Sequence, residues 1–417
     1  MIKVLSTSWA LLLGMMLLML GNGMQGTLLG VRGAAEDFST FSMSIVMSSY
    51  FVGFLGGSLM APGLIRRVGH VRVFAALASF ISAVLVLYAT WANPWAWAVL
   101  RVIIGFSFSG VYVTAESWLN NAATNETRGK ALSLYMIVQM VGIIAAQMIL
   151  LVPDPSGYLL FVIPSVLVSI SFAPILLSIS PTPAFEQTRR LSLRELYYLS
   201  PLGVVGMFLL GSVFAAQFGM SAVYGGEAGL SLWQISVFVS FFYVGATVLQ
   251  YPLGWLSDRM DRRKLIFAAA ALGALGAALA MVAGGQFWML LAAAFLIGGT
   301  SNPLYSLLIA YTNDFVDREN MAAVSGGLIF VNGMGAIAGP VITGWSMELF
   351  GPGGYFLVIG LLMLATAGYA AWRMTRRAAP AVEDTGGFTP VSMTASAVAM
   401  ELAFGEDAGE SAATGET

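Results

Sequence analysis

The chain has 417 residues and a formal net charge of −2, with 58% hydrophobic and only 10% charged residues, where a soluble domain carries about 25% charge. So little polar surface cannot cover a fold in water, which excludes a soluble globular protein and leaves a lipid-embedded one. The absence of Cys and the single His, His70, exclude disulfides, thiolate catalysis and Cys- or His-built metal sites, so neither a cofactor nor an enzymatic activity is expected.

Read from the N-terminus, twelve apolar runs lie near 7–29, 42–63, 73–91, 95–119, 131–152, 157–178, 200–222, 233–256, 265–283, 286–311, 322–347 and 354–373. Each has about 19 to 26 residues, enough to cross a hydrocarbon core of roughly 30 Å. Backbone polar groups must be satisfied internally at that depth, so each run is predicted as a transmembrane helix. Lys3 alone precedes the first run and no small-residue cleavage signal follows, so this run is read as a retained helix rather than a signal peptide. Pro181, Pro183 and an amphipathic stretch over Leu191–Leu199 mark a linker between two halves. Beyond Arg377 the chain has seven acidic residues and no Lys or Arg, which predicts a disordered acidic tail with a transient helix near Val391–Phe404. The expected architecture is all-α, with a six-helix bundle over 1–178, a linker over 179–199, a second six-helix bundle over 200–377 and a tail over 378–417.

Of the 19 Lys and Arg, 17 fall before the first span or after the even-numbered ones, Arg32 falls alone on the opposite side, and Arg101 falls inside the fourth span. The positive-inside rule therefore predicts both termini in the cytoplasm. Trp91, Trp95 and Trp97 are expected in the interfacial belt.

The two halves repeat. At an offset of about 192 residues, Gln25 recurs as Gln217, Ser39 as Ser231, Gly53 as Gly245 and Arg67 as Arg259. After a one-residue slip, Gly105 matches Gly298, Tyr112 matches Tyr305 and Gly142 matches Gly335. A duplicated six-helix unit supplies two bodies that rock about a shared midplane site, which is what alternating access requires.

The loop after the eighth span reads Gly254-Trp-Leu256-Ser-Asp258-Arg259-Met-Asp261-Arg262-Arg263-Lys264. It resembles the Gly-x-Leu-Ser/Ala-Asp-Arg-x-Gly-Arg-Arg signature of the major facilitator superfamily, with Asp261 at the second Gly. The first-half copy, Pro62-Gly-Leu64-Ile-Arg66-Arg67-Val-Gly69-His70, is degenerate, and Arg66 stands where the signature has Asp. Leu100-Arg101-Val-Ile-Ile-Gly105 is similar to the family's Arg-x-x-x-Gly element in the fourth helix. Ala115-Glu116-Ser117, Arg128-Gly129 and Gly335-x-x-x-Gly339-Pro340 resemble a bacterial group, the YcaD-like permeases. The resemblance covers residues 1 to about 377. It implies a secondary transporter whose first, fourth, seventh and tenth helices line the cavity.

Arg101 is the sharpest candidate. A charge near mid-bilayer costs about 2.5–3.5 kcal/mol on insertion scales and faces a bundle interior or a water cavity. At about 100° per residue, Gly105, Tyr112 and Glu116 share its face, with Glu116 roughly 22 Å away along the axis. Arg101 is read either as the anchor of an anionic solute or as a structural arginine bonded to neighbouring helices. Glu116, the sole acid inside a predicted span, is read either as a proton-coupling carboxylate or as the partner of Arg128, Lys130 or the arginines after the second span. Asn22, Gln25, Gln139, Gln217, Asn302, Tyr305 and Asn332 complete the expected substrate contacts with Tyr112. Arg67, Asp258, Arg259, Arg262 and Arg263 are read as a cytoplasmic gate, or as basic anchoring of the loops.

These observations favour a secondary carrier of a small organic anion or zwitterion, with or without coupling to protons, acting as a monomer in the bilayer. No nucleotide-binding loop is present, so ATP is not the expected energy source, and no nucleic-acid partner is expected. Export of lipophilic compounds is the alternative, weakened because the first span has no acid and Gly142-x-x-x-Ala146-Gln147 replaces the Gly-Pro signature of drug/proton antiporters. A non-transporting sensor is a distant third.

Overall fold

A computed structural model describes residues 2–122, 128–151, 157–177, 192–282, 285–317, 320–376, 385–396 and 398–400. The first half contains α1 (Ile2–Ala35), α2 (Thr40–Val68), α3 (His70–Thr90), α4 (Pro94–Ala122), α5 (Arg128–Ile149), α6 (Leu159–Ser171) and α7 (Ala173–Leu177). A short α8 (Leu193–Leu199) precedes the second half, which contains α9 (Pro201–Glu227), α10 (Leu232–Ser257), α11 (Arg262–Val282), α12 (Phe287–Asn313), α13 (Met321–Phe350) and α14 (Gly354–Met374). Among the described residues, twelve helices are long and apolar enough to cross a membrane, as the hydropathy pattern predicts. Helices α6 and α7 share the sixth span; Pro174 lacks the N–H that would bond the Ile170 carbonyl, and the helix breaks beside it. Pro181, Pro183, Arg189, Arg190, Leu191, Arg318 and Arg377 lie outside the described residues.

The sequence repeat becomes a packing repeat. A Cβ on Gly53 would strike the Val102 carbonyl of α4, and one on Gly245 would strike the corresponding Phe295 carbonyl of α12. From the other side, Gly105 lies against the Tyr50 carbonyl and Gly298 against the Phe242 carbonyl. Helices in lipid gain no hydrophobic free energy by associating, so they depend on such backbone approach. Ser39 and Ser231 repeat for a different reason, since each N-caps its helix, accepting from the N–H of Ser42 and Gln234. A Gly298→Leu chain is therefore expected to lose on the order of 3 kcal/mol or more, read as a lower melting temperature in detergent. Gly63→Leu is the control, because nothing lies within 4 Å of a Cβ there.

Helix α1 extends past Arg32, whose guanidinium pairs with Glu36 at 2.6 Å. Two expectations are corrected. His70 is not in the loop after the second span. Gly69, at φ 85°, lets the chain turn within one residue, so His70 opens α3 and is buried with its Nε2 2.8 Å from Ser117 Oγ on α4. Trp91 and Trp95 face outward, but Trp97 is fully buried and donates its indole N–H to the Tyr88 carbonyl. Residues two apart on a helix point about 200° apart, so Trp95 and Trp97 cannot share the belt.

The halves meet at the end opposite the basic loops. There Gly30 packs on Ala222 and Val223, and Gly344 packs on Ser44 and the Thr40 carbonyl. Ser48 Oγ donates to the Ile337 carbonyl at 2.6 Å, Thr40 bonds Glu227, and the Phe41 N–H reaches Glu348 at 3.1 Å. Phe80, Leu275, Leu361 and Leu364 remain on the outer surface, as a lipid-facing wall requires.

Candidate substrate cavity

A cavity of about 130 Å³ lies between the halves, comparable to the roughly 150 Å³ that holds a benzene ring. Its first-half wall is polar and is built by helical spacing. Asn22 and Gln25, three apart on α1, face the same way, and the Gln25 amide donates to Asn22 Oδ1 at 2.6 Å. Asn22 Nδ2 donates to Tyr112 Oη on α4 at 2.9 Å. Arg101, one residue from the α2 contact at Val102, donates to Gln25 Oε1 at 3.1 Å and to Met47 Sδ at 2.8 Å. Its guanidinium carbon lies 5.1 Å from the centroid of the Tyr50 ring. Arg101 is only 4% exposed, its Nε has no partner, and no carboxylate pairs with it among the described residues.

The second-half wall is mostly apolar, with Phe214 and Phe218 from α9 and Val239 and Tyr243 from α10. Asn302 and Asn332 reach this wall, although each spends its amide on a helix carbonyl, Gly298 and Met207 respectively. Gln139 faces the cavity with its Nε2 unpartnered. Asn22, Gln25, Arg101, Tyr112, Gln139, Asn302 and Asn332 are thus brought together on one lining. Gln217 and Tyr305 are not on it. Gln217 turns to Ser301 at 3.1 Å, tying α9 to α12, and the Tyr305 hydroxyl is buried without a partner. Gly105 faces α2 rather than the cavity. Sequence reasoning missed Met47 and Tyr50. The repeated Gly53 was the available signal, because residues one and two turns before it on α2 must pass beside the start of α4.

Glu116 is 1% exposed and accepts from Tyr135 Oη at 3.4 Å and from the backbone N–H of Ser396 at 2.8 Å. No cation among the described side chains pairs with it, and the side chain of Arg128, one partner in the ion-pair reading, lies outside them.

The signature loop forms charge contacts inside the second half. Arg262, 4% exposed, binds Asp314 and the Ala310 carbonyl, and lies 3.9 Å from Asp258. Arg263 pairs with Asp261 at 2.8 Å; burial alone would raise the Asp261 carboxyl, but Arg263 holds it below the usual carboxylate range. Arg259 stacks on Trp255 at 4.2 Å, and Arg67 is exposed at the end of α2.

The tail differs from its expected disorder over the described residues 385–396 and 398–400. Val391, Met393, Ala395, Ser396, Val398, Ala399 and Met400 are buried, with a helical turn over 398–400. The seven acids of the tail all lie outside this stretch, which is apolar and small, so averaging charge over the whole tail concealed it. Residues 401–417, including the rest of the expected helix to Phe404, lie outside the described residues.

A family profile described as the Major Facilitator Superfamily matches residues 11–243 and again 202–405. The chain belongs to the Major Facilitator Superfamily. Its members are membrane transporters, and the double match follows the duplication seen in the glycine contacts. Among its relatives is the uncharacterized MFS-type transporter YcaD of Escherichia coli, 28% identical over 371 residues, covering 86% of this chain and 95% of that protein. Among solved structures, the nucleoside transporter NupG superposes with a TM-score of 0.72 at 16% identity, covering 88% of this chain and 98% of that one. A bacterial homolog of the human lysosomal transporter Spinster, in an inward-facing and unoccupied conformation, gives 0.68 at 14% identity over 97% and 98%. At those identities the likeness concerns the fold. This superfamily member is thus a transporter of a small solute through lipid, built on the twelve-helix fold.

Proposed function

We propose that this transporter is a secondary carrier of a small organic anion or zwitterion with an apolar body, acting as a monomer by rocker-switch alternating access. The observation that carries this reading is Arg101, a buried guanidinium on the cavity wall with an unpartnered Nε and no carboxylate beside it among the described residues. A buried charge without a counter-charge is costly, and a solute carboxylate supplies one together with a bidentate acceptor. Asn22, Gln25 and Tyr112 extend the polar wall for the same end of the solute, and Phe214, Phe218 and Tyr243 face its apolar body. The distribution of Lys and Arg supports cytoplasmic termini, and the likeness to a bacterial carrier supports a bacterial inner membrane. With the halves joined at the opposite end, the carrier is then inward-facing.

Glu116, a buried carboxylate without a cation among the described residues, is the proton-coupling candidate. The test is flux into proteoliposomes, preceded by thermal stabilisation against carboxylates, amino acids, neutral nucleosides and lipophilic cations. Stabilisation by carboxylates is expected. Response to lipophilic cations alone overturns the reading in favour of an exporter. With a solute in hand, Glu116→Gln is expected to abolish accumulation driven by a pH gradient and to spare solute exchange; retained accumulation removes Glu116 from coupling.

A further inference from the structure

Residues 385–400 contain no acid, although Glu383, Asp384 and Glu401 flank them, and they carry Phe388, Val391, Met393, Val398 and Met400. Such a stretch cannot stay solvated as the flanks can, and its course through the molecule is specific. Phe388 packs directly on Gly254, and its N–H donates to Asp258 at 2.8 Å. Arg262 donates to the Gly386 carbonyl. Ser306 Oγ on α12 bonds both the N–H and the carbonyl of Val391, at 2.9 and 3.2 Å. Across the opening, Ser396 donates its N–H to Glu116 on α4, and Thr394 reaches Gln139 on α5 at 3.5 Å. Ser392, Met393 and Thr394 then form part of the cavity lining itself.

We infer that the opening between α4, α5, α10 and α12 is a binding site for an extended peptide, and that its ligand is this chain's own 385–400 segment, which plugs the basic end and holds the transporter in one state. Three observations converge. The contacts are to backbone groups of four residues of the segment, Gly386, Phe388, Val391 and Ser396, with apolar side chains buried between them, the pattern of peptide capture rather than of incidental contact. The groups that hold its start, Gly254, Asp258 and Arg262, have no counterpart in the first half, whose repeat positions are Pro62, Arg66 and His70 and offer neither the open backbone nor the acceptor nor the guanidinium fork. Alternating access also requires the basic end to close as the other end opens. While the segment runs from α4 and α5 to α10 and α12, those helices cannot meet. While docked it narrows the basic entrance to the cavity and blocks the conformational change, leaving the cavity beneath it intact.

The chain has no native Cys, so a single reporter thiol suffices. Ser58→Cys on α2 lines the same cavity as Met393, and the opposite end is closed. In the full chain, labelling of this thiol by a bulky charged maleimide is expected to be slow. Adding Met393→Asp and Ala399→Asp, which bury unpaired charge only while the segment is docked, is expected to raise the labelling rate at least about tenfold. Ser396→Pro, which removes the N–H given to Glu116, is expected to act in the same direction. A synthetic peptide spanning 385–400 should restore slow labelling. Fast labelling of the parent, or an unchanged rate in the charged variant with its melting temperature intact, overturns the plug. The readout is independent of any solute, so it stands or falls separately from the substrate assignment.

Discussion

An Arg101→Lys chain is expected to bind an anionic solute roughly tenfold to a hundredfold more weakly than the parent, with folding intact. The ammonium keeps the charge but loses the planar fork, the stacking on Tyr50 and one of the two directions in which Arg101 reaches Gln25 and Met47. A point charge can still attract a carboxylate; it cannot hold it bidentately. The loss should appear in the concentration dependence of thermal stabilisation, and should be much smaller for a neutral solute of the same shape. Equal affinity in the two proteins would make Arg101 a helix-packing residue and remove the anion from the proposal.

The second large effect is on stability. Arg262 and Asp314 are 3% and 4% exposed at the side chain, and the pair bridges α11 to the end of α12. Asp314→Ala leaves a buried guanidinium whose one remaining carboxylate among the described residues, Asp258, is 3.9 Å away, and is expected to cost about 3–5 kcal/mol. Replacing both partners, as Arg262→Met with Asp314→Leu, should recover most of that loss because no charge is then stranded. Melting temperatures of the three proteins decide it, and a double variant no more stable than Asp314→Ala would mean that Arg262 acts through Ala310 and Gly386 instead.

The spans were legible because lipid imposes its demand locally, on the length and apolarity of each segment. The polar wall was legible for a related reason: Asn22, Gln25, Arg101 and Tyr112 are conspicuous on apolar helices, and helical spacing places them together. Symmetry misled at Gln217 and Tyr305. They repeat Gln25 and Tyr112, but Ala294 stands where the repeat places Arg101, so the second half lacks the charge that organises the first, and Gln217 turns to Ser301. Met47 and Tyr50 read as packing residues because a thioether and a ring look apolar until a cation is set beside them. The docked segment was hidden by composition averaged over forty residues whose middle differs from its ends.

The close backbone approaches at Gly53, Gly105, Gly245 and Gly298 have a mechanical consequence. Where two helices touch main chain to main chain, no side chain remains between them to change rotamer, so α2 with α4, and α10 with α12, each move as a stiff beam. Deformation is then confined to the seams where the halves meet through side chains, such as Ser48 on Ile337 and Phe41 on Glu348. A transport stroke need only exchange a handful of short bonds at one end of the beams for another set at the far end. In the rocker-switch cycle proposed above, the barrier to turnover would lie in those few end contacts, with the interior packing of each half retained.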